Sequence, residues 1–115
     1  ESRGFIVGTP MALMMDRGVV LVRKQGKLPG DVVKRHYDLE YGQDTLEVQH
    51  DAIQAGMRVV VVDDLLATGG TMRATIDLVR EQGAEVVGAA FVVELGFLKG
   101  RERLADVDCH AVVQY

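Results

Sequence analysis

Tryptophan is absent from this 115-residue chain, and the aromatic count stops at three Tyr and three Phe, so any core must be built from aliphatic side chains. Val, Leu, Ile and Met supply it, and such a composition suits a buried parallel sheet. Cysteine is nearly missing too. Cys109 stands alone, which excludes an intrachain disulfide framework and a Cys-rich zinc site, and fits a buried thiol in a reducing cytoplasm. No apolar run reaches the ~20 residues that a membrane span needs, and no charged-then-apolar signal segment is visible. Positive charge is also in deficit. A net charge of −4 argues against binding nucleic acid or an anionic membrane surface, both of which need clustered Lys and Arg. A small-molecule partner is the expectation. His36, His50 and His110 have no metal-ligand spacing.

What is present reads as alternating strands and helices in one domain over residues 1–115. Residues from Gly4 to Asp16 suggest a helix interrupted or bent near Pro10, with Gly18 beyond its end as a stop signal. Val19 to Val22 has the pattern of a buried strand, and the Gly-, Pro- and Lys-rich stretch from Arg23 to Asp31 that of a surface loop. Around Tyr37 to Tyr41 and Leu46 to Val48, apolar and polar residues alternate as in half-exposed strands, which predicts a two-stranded flap. Val59 to Val62 reads as a central parallel strand. Met72, Thr75, Ile76 and Val79 then fall on one helical face, with Gly83 as the stop. Val86 to Val93 predicts a further buried strand, Leu98 to Leu104 a short basic helix and Ala111 to Val113 a last strand. The fold class is α/β, a mostly parallel central sheet flanked by helices.

The richest segment runs Val59-Val60-Val61-Val62-Asp63-Asp64-Leu65-Leu66-Ala67-Thr68-Gly69-Gly70-Thr71. A hydrophobic strand leads into two acids and then into a small-residue loop that opens a helix. Gly69 and Gly70 permit a tight turn and close approach of a ligand, Thr68 and Thr71 supply hydroxyls, and the helix start supplies free N–H donors. Together they form a phosphate cradle. A nucleoside-triphosphate loop would carry a Lys before its Ser or Thr, and this one has none, so a monophosphate fits better. Asp63 and Asp64 can accept hydrogen bonds from sugar hydroxyls, which points to ribose 5-phosphate. Such a ligand would sit beyond the carboxyl end of the strand.

This string resembles the phosphoribosyl-pyrophosphate motif of type I phosphoribosyltransferases. Three more strings are similar to the adenine-specific branch of that family: Ser2-Arg3-Gly4-Phe5, Arg23-Lys24-Gln25-Gly26-Lys27-Leu28-Pro29-Gly30, and Tyr37-Asp38-Leu39-Glu40-Tyr41-Gly42. The resemblance implies transfer of phosphoribosyl from phosphoribosyl pyrophosphate to N9 of adenine, giving AMP and pyrophosphate, with magnesium held through pyrophosphate, ribose and water. It implies that Ser2, Arg3 and Gly4 form a pyrophosphate loop, joined by Arg23, Lys24 and Lys27. Leu66, Ala67, Thr68, Gly69, Gly70 and Thr71 would hold the 5-phosphate, Asp63 and Asp64 the ribose. Asp63 and Asp64 would also stabilise the reacting ribose, Glu40 would manage the proton on the purine, Tyr41 would pack over the ligand, and Leu95 would line the base pocket. A homodimer is implied as well. Members of the family carry roughly another half-length before this segment, including a strand, a helix and the hood over the base, so the chain is expected to begin inside a domain. Two alternatives stand beside this reading: a phosphoribosyltransferase for xanthine, guanine or hypoxanthine, and a non-catalytic sensor of phosphoribosyl pyrophosphate.

Overall fold

A computed structural model describes residues 1–39 and 41–115 of the chain. The valine run becomes β4 (Arg58–Leu66) and the second apolar run β5 (Glu85–Glu94), joined in parallel through helix α2 (Gly70–Glu81). A short 3₁₀ turn (Gly96–Leu98) and helix α3 (Gly100–Arg103) then lead to β6 (Cys109–Gln114), parallel to β5. β5 lies in the middle of this sheet, in the order β4-β5-β6. Among the described residues the outer edge of β4 has no hydrogen-bonded strand, and Val60 is exposed.

The second sheet is antiparallel, with β1 (Arg23–Lys24) and β2 (Val32–Leu39) on either side of β3 (Gly42–Gln49). β2 and β3 pair without a slip from Val32↔Gln49 to Leu39↔Gly42. The expected two-stranded flap is thus a longer hairpin with a third strand. The reading of β3 as half exposed is also corrected, since Thr45, Leu46, Glu47 and Val48 are all buried. Alternation fails there because the central strand of this sheet is covered on both faces, and Glu47 survives burial by accepting a hydrogen bond from the Gly26 N–H at 2.8 Å.

Val19 to Val22 forms no strand; only Arg23 and Lys24 pair, with Glu47 and Leu46. A β-branched run becomes a strand only beside a hydrogen-bonding neighbour, and none lies along these residues among those described. Helix α1 (Ser2–Met14) runs through Pro10 and stops earlier than Gly18, with Asp16 in the left-handed region. The expected basic helix is divided by Lys99, which is also left-handed. α2 buries Met72, Ile76 and Val79 as its periodicity predicts, with Ala74 and Leu78 in addition, whereas Thr75 is only partly buried. Ile76 and Leu78 are fully buried and contribute about 1.5–3 kcal/mol each. Because Leu46 and Val48 of β3 join the same cluster as Val61, Phe91 and Leu104, one core holds both sheets to α2. That core fixes the loop between β4 and α2. Cys109 is half-buried on β6 rather than sealed in the core, and burial raises its thiol pKa. Among the described residues no helix is long and apolar enough to cross a membrane.

Candidate functional site

At the carboxyl end of β4 the chain leaves the sheet and turns into α2 over Ala67, Thr68 and Gly69. Gly69 caps the helix at φ 85°, a conformation that L side chains resist, and the first helical bond runs from Arg73 N–H to Gly69 O at 2.8 Å. The N–H groups that precede it, on Gly70, Thr71 and Met72, have no intrahelical acceptor and are free to donate. Thr68 and Thr71 are exposed, and their hydroxyls are available. These residues line a cleft of about 290 Å³ with Asp63, Asp64, Glu1, Ser2 and Arg3. Tertiary folding thus brings the start of α1 to the end of β4.

Gly4 explains how close that approach is. A Cβ there would lie 2.6 Å from Asp63 Oδ1, so only glycine lets α1 rest on the acid pair. Asp63 accepts the Asp64 N–H at 2.9 Å, while Arg3 Nε lies 3.1 Å from Asp64 Oδ2. Burial raises the pKa of Asp63, aided by the like charge of Asp64 and opposed by the Asp64 N–H. Arg3, which the resemblance assigns to pyrophosphate, therefore rests on the carboxylate assigned to ribose. Its side chain is exposed, so this surface pair is weak enough to exchange for an anion.

Arg23, Lys24 and Lys27 stand apart from the cleft lining and are tied to it by Glu1. The Glu1 carboxylate accepts the Lys24 backbone N–H at 2.7 Å, Lys27 Nζ at 2.8 Å and Arg23 Nη2 at 3.4 Å. Burial opposes its ionisation, but these donors and their charges prevail and pull its pKa down to about 2. Arg23 also lies 5.7 Å from the Phe5 ring centroid. Lys24 Nζ pairs with Asp44 Oδ2 at 3.0 Å, a contact that raises the Lys24 pKa and lowers that of Asp44. Tyr37 Oη lies 3.4 Å from Asp44 Oδ2 and 3.5 Å from Thr71 Oγ1, so the hairpin touches the cradle.

The sequence reading missed Glu1, Asp44 and Tyr37. Glu1 is adjacent to a quoted motif, but its partners lie over twenty residues away, and no local spacing reveals them. Leu95 is half-buried outside the cleft lining, and its N–H donates to Leu66 O at 2.9 Å. Tyr41 is exposed at the hairpin end, and Glu40 lies outside the described residues. Among the described residues no group of three or more His, Cys, Asp or Glu is placed to hold a metal. Two adjacent carboxylates facing a phosphate cradle nevertheless fit magnesium, which is commonly held by one or two carboxylates together with substrate oxygens and water.

The arrangement can hold a phosphorylated sugar, with donors at one end, acids in the middle and exchangeable cations at the other. The chain is 62% identical over its whole length to the adenine phosphoribosyltransferase of Acidiphilium cryptum, of which it spans 67%. It superposes on the crystal structure of adenine phosphoribosyltransferase from Thermoanaerobacter pseudethanolicus with a TM-score of 0.96 at 47% identity, covering all of this chain and 67% of that one. The Trypanosoma brucei adenine phosphoribosyl transferase, in complex with AMP, pyrophosphate and ribose-5-phosphate, matches with a TM-score of 0.89 at 34% identity over 99% of this chain and 53% of that one. The family model for the phosphoribosyl transferase domain matches residues 1–114, taking in the acid pair, the cradle and the start of α1 together, and the chain belongs to that family.

Proposed function

We propose that this chain carries the catalytic core of an adenine phosphoribosyltransferase of purine salvage, a pentosyltransferase that makes AMP and pyrophosphate from adenine and phosphoribosyl pyrophosphate. The observation that carries the reading is the single cleft in which Arg3, Asp63, Asp64 and the loop from Leu66 to Thr71 meet. Identity to adenine phosphoribosyltransferases across the whole chain supports adenine as the base.

In this reading the loop from Leu66 to Thr71 grips the 5-phosphate, and Asp63 and Asp64 accept the ribose hydroxyls. Arg3 leaves Asp64 for the pyrophosphate, where Ser2, Gly4, Arg23, Lys24 and Lys27 complete an electropositive rim. Asp63 and Asp64 would lie beside a magnesium ion brought with the substrate, which would supply charge neutralisation of the leaving group. As the bond from C1 to the pyrophosphate oxygen breaks, the electron pair leaves with pyrophosphate and positive charge grows on the ribose ring. Asp63 and Asp64 stabilise that charge, and preorganised carboxylates do so without reorientation. Adenine N9 bonds to C1 from the opposite face, and its proton passes to an acceptor, the role we assign to Glu40. Tyr41 closes over the ligand and Leu95 lines the base pocket. Closure of the hairpin excludes water, whose attack on the ribose is the competing reaction.

Pyrophosphate release by the full-length protein, measured with adenine, hypoxanthine, guanine and xanthine in turn, tests this function. Release with adenine and loss of it in Asp64→Ala are expected. Preference for another purine would reassign the base, and binding of phosphoribosyl pyrophosphate without turnover on any base would make the protein a sensor. We extend the proposal to a magnesium requirement, a cytoplasmic setting and a homodimer, the last checked by light scattering of the full-length protein.

A further inference from the structure

The chain that follows β5 packs against the cradle through residues outside the cleft lining. Glu94 ends β5 almost fully buried, and its carboxylate accepts Arg101 Nε at 2.8 and 2.9 Å. Arg101 also donates from Nη1 to the Cys109 carbonyl at 2.8 Å, so one guanidinium ties α3 to the ends of two parallel strands. The carboxylate is buried but the Arg101 side chain is half-exposed, so solvent weakens their attraction; what the pair supplies is a defined position, because Glu94 without its partner would be left as a buried unpaired charge.

The backbone held in that position is Gly100. A Cβ on Gly100 would meet the Ala67 carbonyl oxygen at 2.4 Å and Leu66 Cδ1 at 3.0 Å. The contact is reciprocal, since a Cβ on Gly69 would meet the Gly100 carbonyl oxygen at 2.8 Å. Two main chains thus touch with no side chain between them, and one of them is the phosphate loop. Leu95 N–H to Leu66 O at one end, and Arg73 Nη1 to Arg103 O at 3.3 Å at the other, close the frame around it.

We propose that the segment from Glu94 to Arg101 is the bed on which the phosphate cradle is shaped, and that Gly100 and Arg101 are positioning residues for the 5-phosphate. A methyl group at Gly100 must displace Ala67 or Gly69, and either shift moves the donors that face the phosphate. Pyrophosphate, on the opposite side of the cleft, does not depend on this contact. The inference rests on the cradle reading given above and adds how the cradle acquires its geometry.

Calorimetric titration of the full-length protein with ribose 5-phosphate and with pyrophosphate, alongside steady-state KM values, tests it. Gly100→Ala is expected to weaken ribose 5-phosphate and raise the KM for phosphoribosyl pyrophosphate about 10-fold or more, since an ångström of misplacement suffices for that. Pyrophosphate affinity and the KM for adenine stay near wild type. Should Gly100→Ala not fold, Arg101→Lys and Arg101→Met carry the same test: Lys keeps a charge beside Glu94 and retains more affinity than Met. Wild-type ribose 5-phosphate affinity in the folded variants overturns the proposal, as does an equal loss of all three ligands. Failure of the wild-type protein to bind ribose 5-phosphate would instead overturn the cradle itself. Binding without AMP formation would overturn the enzymatic reading and leave the positioning role standing.

Discussion

The two ends of the cleft are held by different physics. At the cradle, geometry comes from backbone: a left-handed Gly69, a helix start, and main chain packed on main chain at Gly100. At the rim, geometry comes from charge: Glu1 gathers Arg23, Lys24 and Lys27, Asp44 holds Lys24, and Arg3 leans on Asp64. Steric constraints neither screen nor exchange, so the cradle is set before a ligand arrives. Ion pairs at a half-exposed rim are screened and can trade partners, so the rim is poised to rearrange around an anion. In the function proposed above, the phosphate that stays attached to the ribose would meet the rigid end, and the pyrophosphate that must leave would meet the adaptable one.

Breaking the rigid end has the largest effect. Gly69→Val places a branched side chain at φ 85° against the Gly100 carbonyl, and AMP formation should fall by about 100-fold or more; retained affinity for ribose 5-phosphate would remove the cradle from the mechanism. Asp63→Asn comes next, and it separates stability from function. Turnover is expected to drop by about 100-fold as the charge facing the ribose is lost, while the melting temperature rises because a half-buried carboxylate has been neutralised. The sign follows from the raised pKa. A folded-state value above the unfolded one means that the folded protein binds the proton more tightly, so stability declines as pH rises through the interval between them. Melting curves across that interval should show the decline in the wild type and its absence in the variant.

At the rim the effects are smaller and salt-dependent. Glu1→Gln leaves the basic loop without its anionic anchor, and the KM for phosphoribosyl pyrophosphate should change by only about threefold, less at high ionic strength. With its folded pKa near 2 against an ordinary 4.5, Glu1 stabilises the protein above about 4.5 and ceases to do so as pH falls toward 2. Acid unfolding of the wild type and the variant should converge there. Smallest is Asp106→Asn, which loosens the pairs to Arg73 at 2.7 Å and Arg80 at 2.6 Å on an exposed face. A slight loss of thermal stability with unchanged KM values is expected; a changed KM would mean that α2 transmits charge effects from its far side to the cradle.

The cradle was legible because its parts are contiguous. A buried strand, two acids, a glycine turn and a helix face follow one another from Val59 to Val79, and each is set by local stereochemistry. The rim was half legible. Arg23, Lys24 and Lys27 declared themselves as a basic loop, but nothing near them in sequence announced that Glu1 would hold them. Runs misled where a strand's neighbours mattered: Val19 to Val22 stays unpaired, while Thr45 to Val48 is buried on both faces despite its polar residues.

The sequence by itself determined the glycine turn between β4 and α2, because glycine conformations and helix starts are properties of short segments. It also determined the aliphatic α/β core, through periodicity in α2 and the apolar runs of β4 and β5. Only tertiary structure decided that Gly4 would rest on Asp63, that Glu1 would gather the cations, and that Gly100 would brace Gly69. Those contacts join residues far apart in the chain, and their distances depend on how the sheets and α2 share one core.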